Sequence, residues 1–223
     1  MKRIALTAAL MLPMVALAAE TANERLNTAA TVFTEIMSTP DKGIPQDLLA
    51  KAQCVIIVPG LKKAAFVVGA EFGKGFAECR HEDGMGWGAP GSVRIEGGSF
   101  GAQIGGSSTD LVMLVMNREG MNKLLGDKFT LGADASVAAG PVGRTAAAGT
   151  DVKMSAEILA WSRAKGIFAG ISLSGATLRN DEDANAELYG HKMNNKDVIN
   201  GGMAKPAGAE KLAAALDKYS ARK

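Results

Sequence analysis

Glycine recurs along most of the middle of this chain, both between apolar segments and inside them. Of the 223 residues 27 are glycine, and they follow no G-X-Y period. Cys54 to Val58 and Leu111 to Met116 are apolar runs of strand length, whereas Ser92 to Glu96 alternates polar and apolar residues as a half-exposed strand does. Short glycine turns without helix-length crossovers favour antiparallel pairing, and glycine inside strands favours strong curvature. We therefore predict a curved, glycine-rich antiparallel β-sheet.

Helices are predicted at both ends of the chain. Thr21 and Glu24 form the S/T-x-x-E pattern of a capping box, and the apolar residues after them recur at helical spacing as far as Ser38. Residues 194–205 are predicted to form a loop that contains at most a short strand. The other predicted helices are Gln46–Lys51, Asn117–Leu125, Asp181–Tyr189 and Ala207–Ser220. The predicted fold class is α+β, with the N- and C-terminal helices packed on the sheet.

The first 18 residues have the layout of a cleavable export signal. Met1 to Arg3 is basic, an apolar stretch follows, and Ala16-Leu17-Ala18 supplies the small residues that a signal peptidase recognises. Cleavage there leaves 23 basic and 23 acidic residues, and a formally neutral protein is a poor ligand for nucleic acid. We predict a periplasmic protein, peripheral on a membrane, with a signal peptide at 1–18 and a single domain at 19–223. Residues 22–189 are its predicted core, and residues 190–223 a basic C-terminal extension.

Residues suited to catalysis or metal binding are scarce in this sequence. It contains two cysteines and two histidines, which excludes every four-cysteine metal site. Gly97–Gly101 matches the G-x-S-x-G pattern of a nucleophile elbow, but the glycine-rich residues after it are unsuited to begin a helix. Asp181 begins a calcium-like loop that lacks the required glycine and the bidentate glutamate. We predict no enzymatic activity, no metal and no cofactor.

The two cysteines, Cys54 and Cys79, could form a disulfide in an oxidising compartment. A hairpin turn between Val58 and Ala64, followed by a second turn at Gly73–Gly75, would leave them one strand apart. A disulfide spans only a short distance between Cα atoms. We therefore predict two separate buried thiols.

Several cations of the predicted β region stand close to glycine. A glycine turn lets backbone N–H groups approach an anion, and a neighbouring lysine or arginine supplies the opposite charge. This combination suits a phosphate or a lipid head group. The alternative is that the cations only flank turns and form ion pairs with Glu71, Asp110 or Asp134. The candidate residues are Lys62, Lys63, Lys74, Arg80 and Arg144.

An ordered series of motifs resembles the SYLF-domain family, a lipid-binding module that also occurs in actin-associated eukaryotic proteins. The resemblance runs from Ala22 to Tyr189. Where the family usually has tyrosine, this chain has Trp161, which is also an amphipathic aromatic residue. The matching motifs include Ile44-Pro45, Trp87-Gly88-Ala89-Pro90, Gly101-Ala102-Gln103-Ile104-Gly105, Leu131-Gly132-Ala133-Asp134, Ala139-Gly140-Pro141-Val142-Gly143-Arg144 and Lys165-Gly166-Ile167-Phe168-Ala169-Gly170.

The resemblance implies affinity for phospholipid membranes, with a preference for anionic head groups, and no catalytic activity. We expect the five candidate cations to hold the head groups while apolar residues enter the acyl boundary. The alternative is a structural or protein-interaction module of the cell envelope that binds a protein partner. The sequence shows no SH3 module and begins with an export signal, so actin is not an expected partner in that compartment.

Overall fold

The computed structural model of the chain describes residues 20–39, 43–66, 68–100, 105–143, 156–171, 173 and 175–220. The predicted signal peptide lies outside these residues. The helices are α1 (Ala22–Ser38), α2 (Gln46–Lys51), α3 (Arg118–Leu124), α4 (Glu182–Tyr189), α5 (Asn195–Asn200) and α6 (Glu210–Tyr219), with a 3-10 turn at Ala207–Ala209 before α6. The strands are β1 (Cys54–Phe66), β2 (Val68–Cys79), β3 (Gly91–Phe100), β4 (Gly105–Val115), β5 (Lys128–Thr130), β6 (Val137–Ala139), β7 (Ile158–Ala164), β8 (Ile167–Gly170) and β9 (Thr177–Asn180).

The described strands form one strongly curled sheet in the order β5-β9-β3-β2-β1-β4-β7-β6. The outer edge of β7 is shared by two strands, because β6 pairs with its first half and β8 with its second half. The β6–β7 pair is parallel, and every other described pair is antiparallel. The α+β class is confirmed. The curved sheet is confirmed as well, and the single parallel pair at β6 departs from the predicted antiparallel arrangement, because pairing between residues distant in sequence decides strand direction.

Both faces of the first part of β1 are buried, from Cys54 to Val58. Val55 and Ile57 of β1 point to one side, which we call the helix face, where they pack with apolar residues of α1 and α6 such as Phe33 and Leu216. The alternate residues of β1 enter a second apolar cluster on the opposite side, together with Ile95 and other residues of the curled sheet. A strand buried on both faces reads as a continuous apolar run, which is the pattern of Cys54 to Val58.

Local capping signals set the helix boundaries. The backbone N–H of Glu24 donates to Thr21 Oγ1 (3.2 Å) and that of Thr21 donates to Glu24 Oε2 (2.9 Å), which confirms the capping box at the start of α1. The prediction of a loop at 194–205 was wrong, because α5 lies within it. There the Asn194 side chain accepts from the backbone N–H of Asp197 (2.9 Å) and acts as the N-cap.

The glycines of β2 permit close strand approach and do not form the predicted bulge or turn at Gly73–Gly75. A Cβ at position 75 would lie 2.0 Å from the carbonyl oxygen of Ile57, so this position of β2 requires glycine. The irregularity is instead in β1, where Gly60 has φ +58° and the register with both neighbours shifts. β1 thus continues through a bulge at Pro59-Gly60, where the sequence suggested that it ends.

Cys54 and Cys79 form a disulfide, so the prediction of separate thiols was wrong. β1 and β2 make one long hairpin in which Cys54 lies directly opposite Cys79. The prediction failed because Pro59-Gly60 forms a bulge within β1, whereas its residue types are typical of a strand end. With β1 extended to Phe66, the two cysteines become cross-strand neighbours at the base of the hairpin.

Removing this disulfide with the double substitution Cys54→Ala/Cys79→Ala is expected to lower the free energy of unfolding by about 3 kcal/mol. The crosslink closes a loop with a sequence separation of 25 and so restricts the unfolded chain. Urea denaturation of both proteins measures the difference. Reductant should destabilise the wild type and leave the double variant unchanged, and an equal response of the two proteins would contradict the assignment.

Candidate functional site

The structure describes four of the five candidate cations and separates them. Lys62 and Lys74 lie on the helix face of β1 and β2, whereas Lys63 lies on the opposite face. Arg80 follows β2 and is buried. Arg144 lies outside the described residues. Of the candidate cations that the structure describes, only Lys62, Lys63 and Lys74 therefore contribute to the surface.

Two of these three lysines are held in ion pairs. Lys63 Nζ lies 2.9 Å from Oε2 of Glu71, its direct cross-strand neighbour. Lys74 Nζ lies 2.7 Å from Oδ2 of Asp181, whose side chain is almost completely buried at the N-terminus of α4. Lys62 is exposed, and it contacts no carboxylate in the part of the chain that the structure describes. Of the three, Lys62 is the lysine most available to an external anion.

The glycine turn next to Lys62 already holds an anion that belongs to the protein. The backbone N–H of Gly60 donates to Oδ1 of Asp110 (3.0 Å). The other oxygen of Asp110 accepts from Nε and Nη2 of Arg163, at 2.9 and 2.8 Å, and Arg163 also binds Glu35 of α1. This network ties the β1 bulge to β4, β7 and α1. The anion-binding property of the turn is therefore used for internal support.

Arg80 also serves the interior of the domain. Its side chain is 7% exposed and donates to three backbone carbonyls, those of Leu49, Ala52 and Ser220, at 3.3, 3.1 and 2.7 Å. The guanidinium lies 4.3 Å from the ring centroid of Trp87, and Trp87 Nε1 donates to Ser220 Oγ (3.0 Å). These contacts join the end of β2 to α2 and to the end of α6.

A row of four cations crosses the helix face, and sequence reasoning did not find it. The backbone register places Lys74 opposite Arg94, Arg94 opposite Arg179, and Arg179 opposite Lys128, on the adjacent strands β2, β3, β9 and β5. Glu96 sits between the two arginines, with its oxygens 3.0 Å from Arg94 Nε and 3.6 Å from Arg179 Nε. The four cations are far apart in sequence, so only strand register could reveal the row.

A polar cleft of about 310 Å³ opens beside this row. Lys192 Nζ lies 2.7 Å from Asp183 Oδ1, and its hydrogen bond holds the pKa of Asp183 below the ordinary value. Both positive and negative side chains line the cleft, which suits contact with a polar surface better than capture of one anion. The lining residues are Arg94, Asp127, Arg179, Asn180, Glu182, Asp183 and Lys192.

The catalytic and metal motifs do not assemble into a site among the described residues. Gly97 and Gly98 lie inside β3, Ser99 is its penultimate residue, and the next described element is the paired strand β4. Asp181 caps α4 by accepting from the backbone N–H of Ala184 (3.3 Å), so it serves a helix start. A search of the described residues finds no group of three or more His, Cys, Asp or Glu able to hold a metal. None of the described helices combines the length and apolar character needed to cross a bilayer.

Comparison with known proteins gives consistent matches. Residues 96–219 match a family model described as "Ysc84: Las17-binding protein actin regulator". The SH3 domain-containing YSC84-like protein 1 of Bos taurus is 35% identical over 191 residues, which cover 84% of this chain and 55% of the bovine protein. An SH3 domain-containing protein of Schizosaccharomyces pombe is 38% identical over 173 residues, covering 76% and 40%. The LAS seventeen-binding protein 3 of Saccharomyces cerevisiae is 31% identical over 180 residues, covering 79% and 39%. The chain spans about half the length of the bovine relative and less of the two fungal ones.

Proposed function

Because the chain belongs to the Ysc84 (SYLF-domain) family, we propose that it is a non-enzymatic protein that binds the anionic surface of phospholipid membranes. The relatives are named as SH3-containing or Las17-binding proteins, and none of the three names above denotes an enzyme. The membrane is the proposed partner, and exposed cations on the helix face are the proposed points of contact.

One observation carries this proposal: two exposed lysines on the helix face have no carboxylate partner among the described residues. Lys62 lies on β1 and Lys128 lies at the end of the cation row on β5. Each basic residue near an anionic lipid surface contributes about 1 kcal/mol. Paired lysines contribute less, because their charge is already neutralised locally. The proposed contact set is therefore Lys62 and Lys128, with the paired Lys74 on the same face.

We further propose that the protein works in the bacterial periplasm. The predicted signal peptide leads to that compartment, and the Cys54–Cys79 disulfide supports the proposal, because disulfides persist in oxidising compartments. Cleavage of the predicted signal peptide leaves equal numbers of acidic and basic residues, so the mature protein has no long-range attraction to a membrane. Local cations must then provide the contact, which makes binding sensitive to salt.

Sedimentation with vesicles of phosphatidylcholine and phosphatidylglycerol tests the proposal. The double substitution Lys62→Glu/Lys128→Glu is expected to weaken binding by roughly 30-fold or more, since it removes two contributions of about 1 kcal/mol each. The matched control is Lys196→Glu/Lys211→Glu, which changes the same charge at exposed positions on α5 and α6. Equal loss in both variants would contradict a local contact, and absence of wild-type binding would overturn the proposed function.

The second candidate function is a protein-interaction module of the cell envelope. The names of the relatives favour it, since one family model and one yeast protein are described by what protein they bind. A module of this kind should ignore protein-free vesicles and should form a stable complex or oligomer without lipid. Light scattering of the purified protein, alongside the vesicle experiment, separates the two candidates.

A further inference from the structure

Four strands extend past the rest of the sheet and form a ribbon, which we define as residues 62–66, 68–72, 96–100 and 105–108. The neighbour of β3, strand β9, pairs with it only as far as Glu96. The neighbour of β4, strand β7, pairs with it only from Asp110. The ribbon therefore consists of β3, β2, β1 and β4 in that order, with β3 and β4 at its outer edges.

One face of the ribbon continues the helix face of the sheet and is open to solvent. Its first row contains Phe72, which is 47% exposed, directly opposite the exposed Lys62. The second row consists of small residues, each of them exposed. These are Gly106, Ala64, Ala70 and Gly98. Adjacent strands lie about 4.8 Å apart, so this low-relief apolar face is roughly 14 Å wide.

The opposite face differs in character, because there the Lys63–Glu71 ion pair lies across β1 and β2. The two faces are therefore unequal, and only the first combines apolar residues with a lysine that has no carboxylate partner in the described chain.

The charges around this face match an anionic bilayer. Lys62 lies two residues behind the second row, which is about 7 Å along the strand. An aliphatic lysine stem of this kind can follow an apolar surface while its ammonium group reaches the phosphates. Glu96, at the edge of the first row, is neutralised by Arg94 and Arg179, so it does not repel the lipid.

We propose that the open face of this ribbon, with Phe72 and the exposed alanines, is the part of the protein that enters the membrane, with Lys62 at the level of the phosphates. This inference rests on the proposed function and adds the orientation of the protein on the bilayer. Entry is shallow and ends at the boundary between head groups and acyl chains. Within the ribbon, the described strands leave backbone groups at the outer edges of β3 and β4 unpaired, and these need water or head groups as partners.

The substitution Phe72→Trp provides a direct test. The native tryptophans Trp87 and Trp161 are 1% and 0% exposed, so their emission should respond little to lipid. Vesicles of phosphatidylcholine and phosphatidylglycerol that contain brominated acyl chains are expected to quench at least half of the emission of the introduced indole. The matched control is Met85→Trp, at a 60% exposed position in the segment after the opposite end of β2, where quenching is expected to be slight.

A second variant measures the contribution of the same position to affinity. Phe72→Ser is expected to reduce vesicle binding about tenfold, and Met85→Ser to leave it unchanged. If vesicles sediment the wild type but quench the indole at position 85 and not at position 72, the orientation is overturned and the proposed function remains. If vesicles do not bind the wild type, both fall. If light scattering shows a lipid-free dimer that Phe72→Ser dissociates, the face joins two copies of the chain, and the membrane assignment is overturned.

Discussion

The substitution Arg80→Leu is expected to lower the free energy of unfolding by about 4 kcal/mol. Leucine keeps some apolar volume but leaves the carbonyls of Leu49, Ala52 and Ser220 without the donors that now bind them. Hydrogen bonds from a charged group contribute about 1.5–3 kcal/mol each, and a buried acceptor that loses its donor costs about 1–3 kcal/mol. The stacking of the guanidinium on Trp87 is lost as well. Urea denaturation gives the difference.

Two companion variants show whether Arg80 acts inside the protein or on a lipid. Arg80→Lys retains the charge but lacks the planar fork that reaches several carbonyls, so it should recover only part of the stability. Lys62→Leu, at an exposed position, should change the stability by less than about 0.5 kcal/mol. If Arg80→Leu proved as stable as the wild type yet lost vesicle binding, the internal role would be wrong and Arg80 would return to the contact set.

A loss of stability with rising pH is expected from Glu78. Its side chain is 1% exposed on the helix face of β2, and neither carboxylate oxygen has a hydrogen-bond partner in the described structure. Burial raises the pKa of Glu78 from 4.5 to about 8, while the charge of Lys205 acts against this shift and that of Asp217 adds to it. The folded protein therefore keeps this proton at pH values where the unfolded chain has released it.

The sign of the effect follows from that difference in bound protons. Below pH 4.5 both states are protonated at Glu78, and the group has no differential effect on stability. Between about pH 4.5 and 8 the folded state binds the extra proton, so its stability falls by at most about 1.4 kcal/mol per pH unit. The total is a few kcal/mol at pH 8. Above the folded pKa this contribution changes no further.

Urea denaturation at several pH values between 5 and 8 tests this prediction with the variant Glu78→Gln. The neutral amide should flatten the pH dependence and make the variant more stable than the wild type at pH 8. Glu71→Gln is the control, because it makes the same chemical change on the same strand, at a carboxylate paired with Lys63. Identical slopes for the wild type and Glu78→Gln would show that Glu78 is ionised in the folded protein.

Features set by a few neighbouring residues could be predicted from the sequence. The capping box at Thr21 is confirmed, and α1 ends at Ser38 as its apolar spacing indicated. The resemblance to the SYLF family is also confirmed by the match over residues 96–219 and by the relatives. In each case the signal lies in the order and type of residues along the chain, without reference to contacts across the fold.

Features set by partners across the sheet were missed. Pro59-Gly60 reads locally as the end of a strand, but pairing with β2 and β4 carries β1 on to Phe66. The same error hid the disulfide. At the candidate site, Lys62 is exposed as the proposal requires, whereas Arg80 is buried because Leu49 and Ser220, distant in sequence, surround it. The row from Lys74 to Lys128 depends on four strands in register, which no local pattern encodes.

The disulfide at the base of the β1–β2 hairpin also determines which face of the ribbon is exposed to solvent. Side chains alternate between faces, so slippage by a single residue would exchange the Phe72 side for the Glu71 side. The disulfide between Cys54 and Cys79 prevents this slippage, because it joins two directly opposite residues and so permits only one strand register. The alanine and glycine residues of the ribbon provide few bulky side chains whose packing could fix the register locally. The disulfide at the base of the hairpin thus fixes the strand register of the ribbon at the other end.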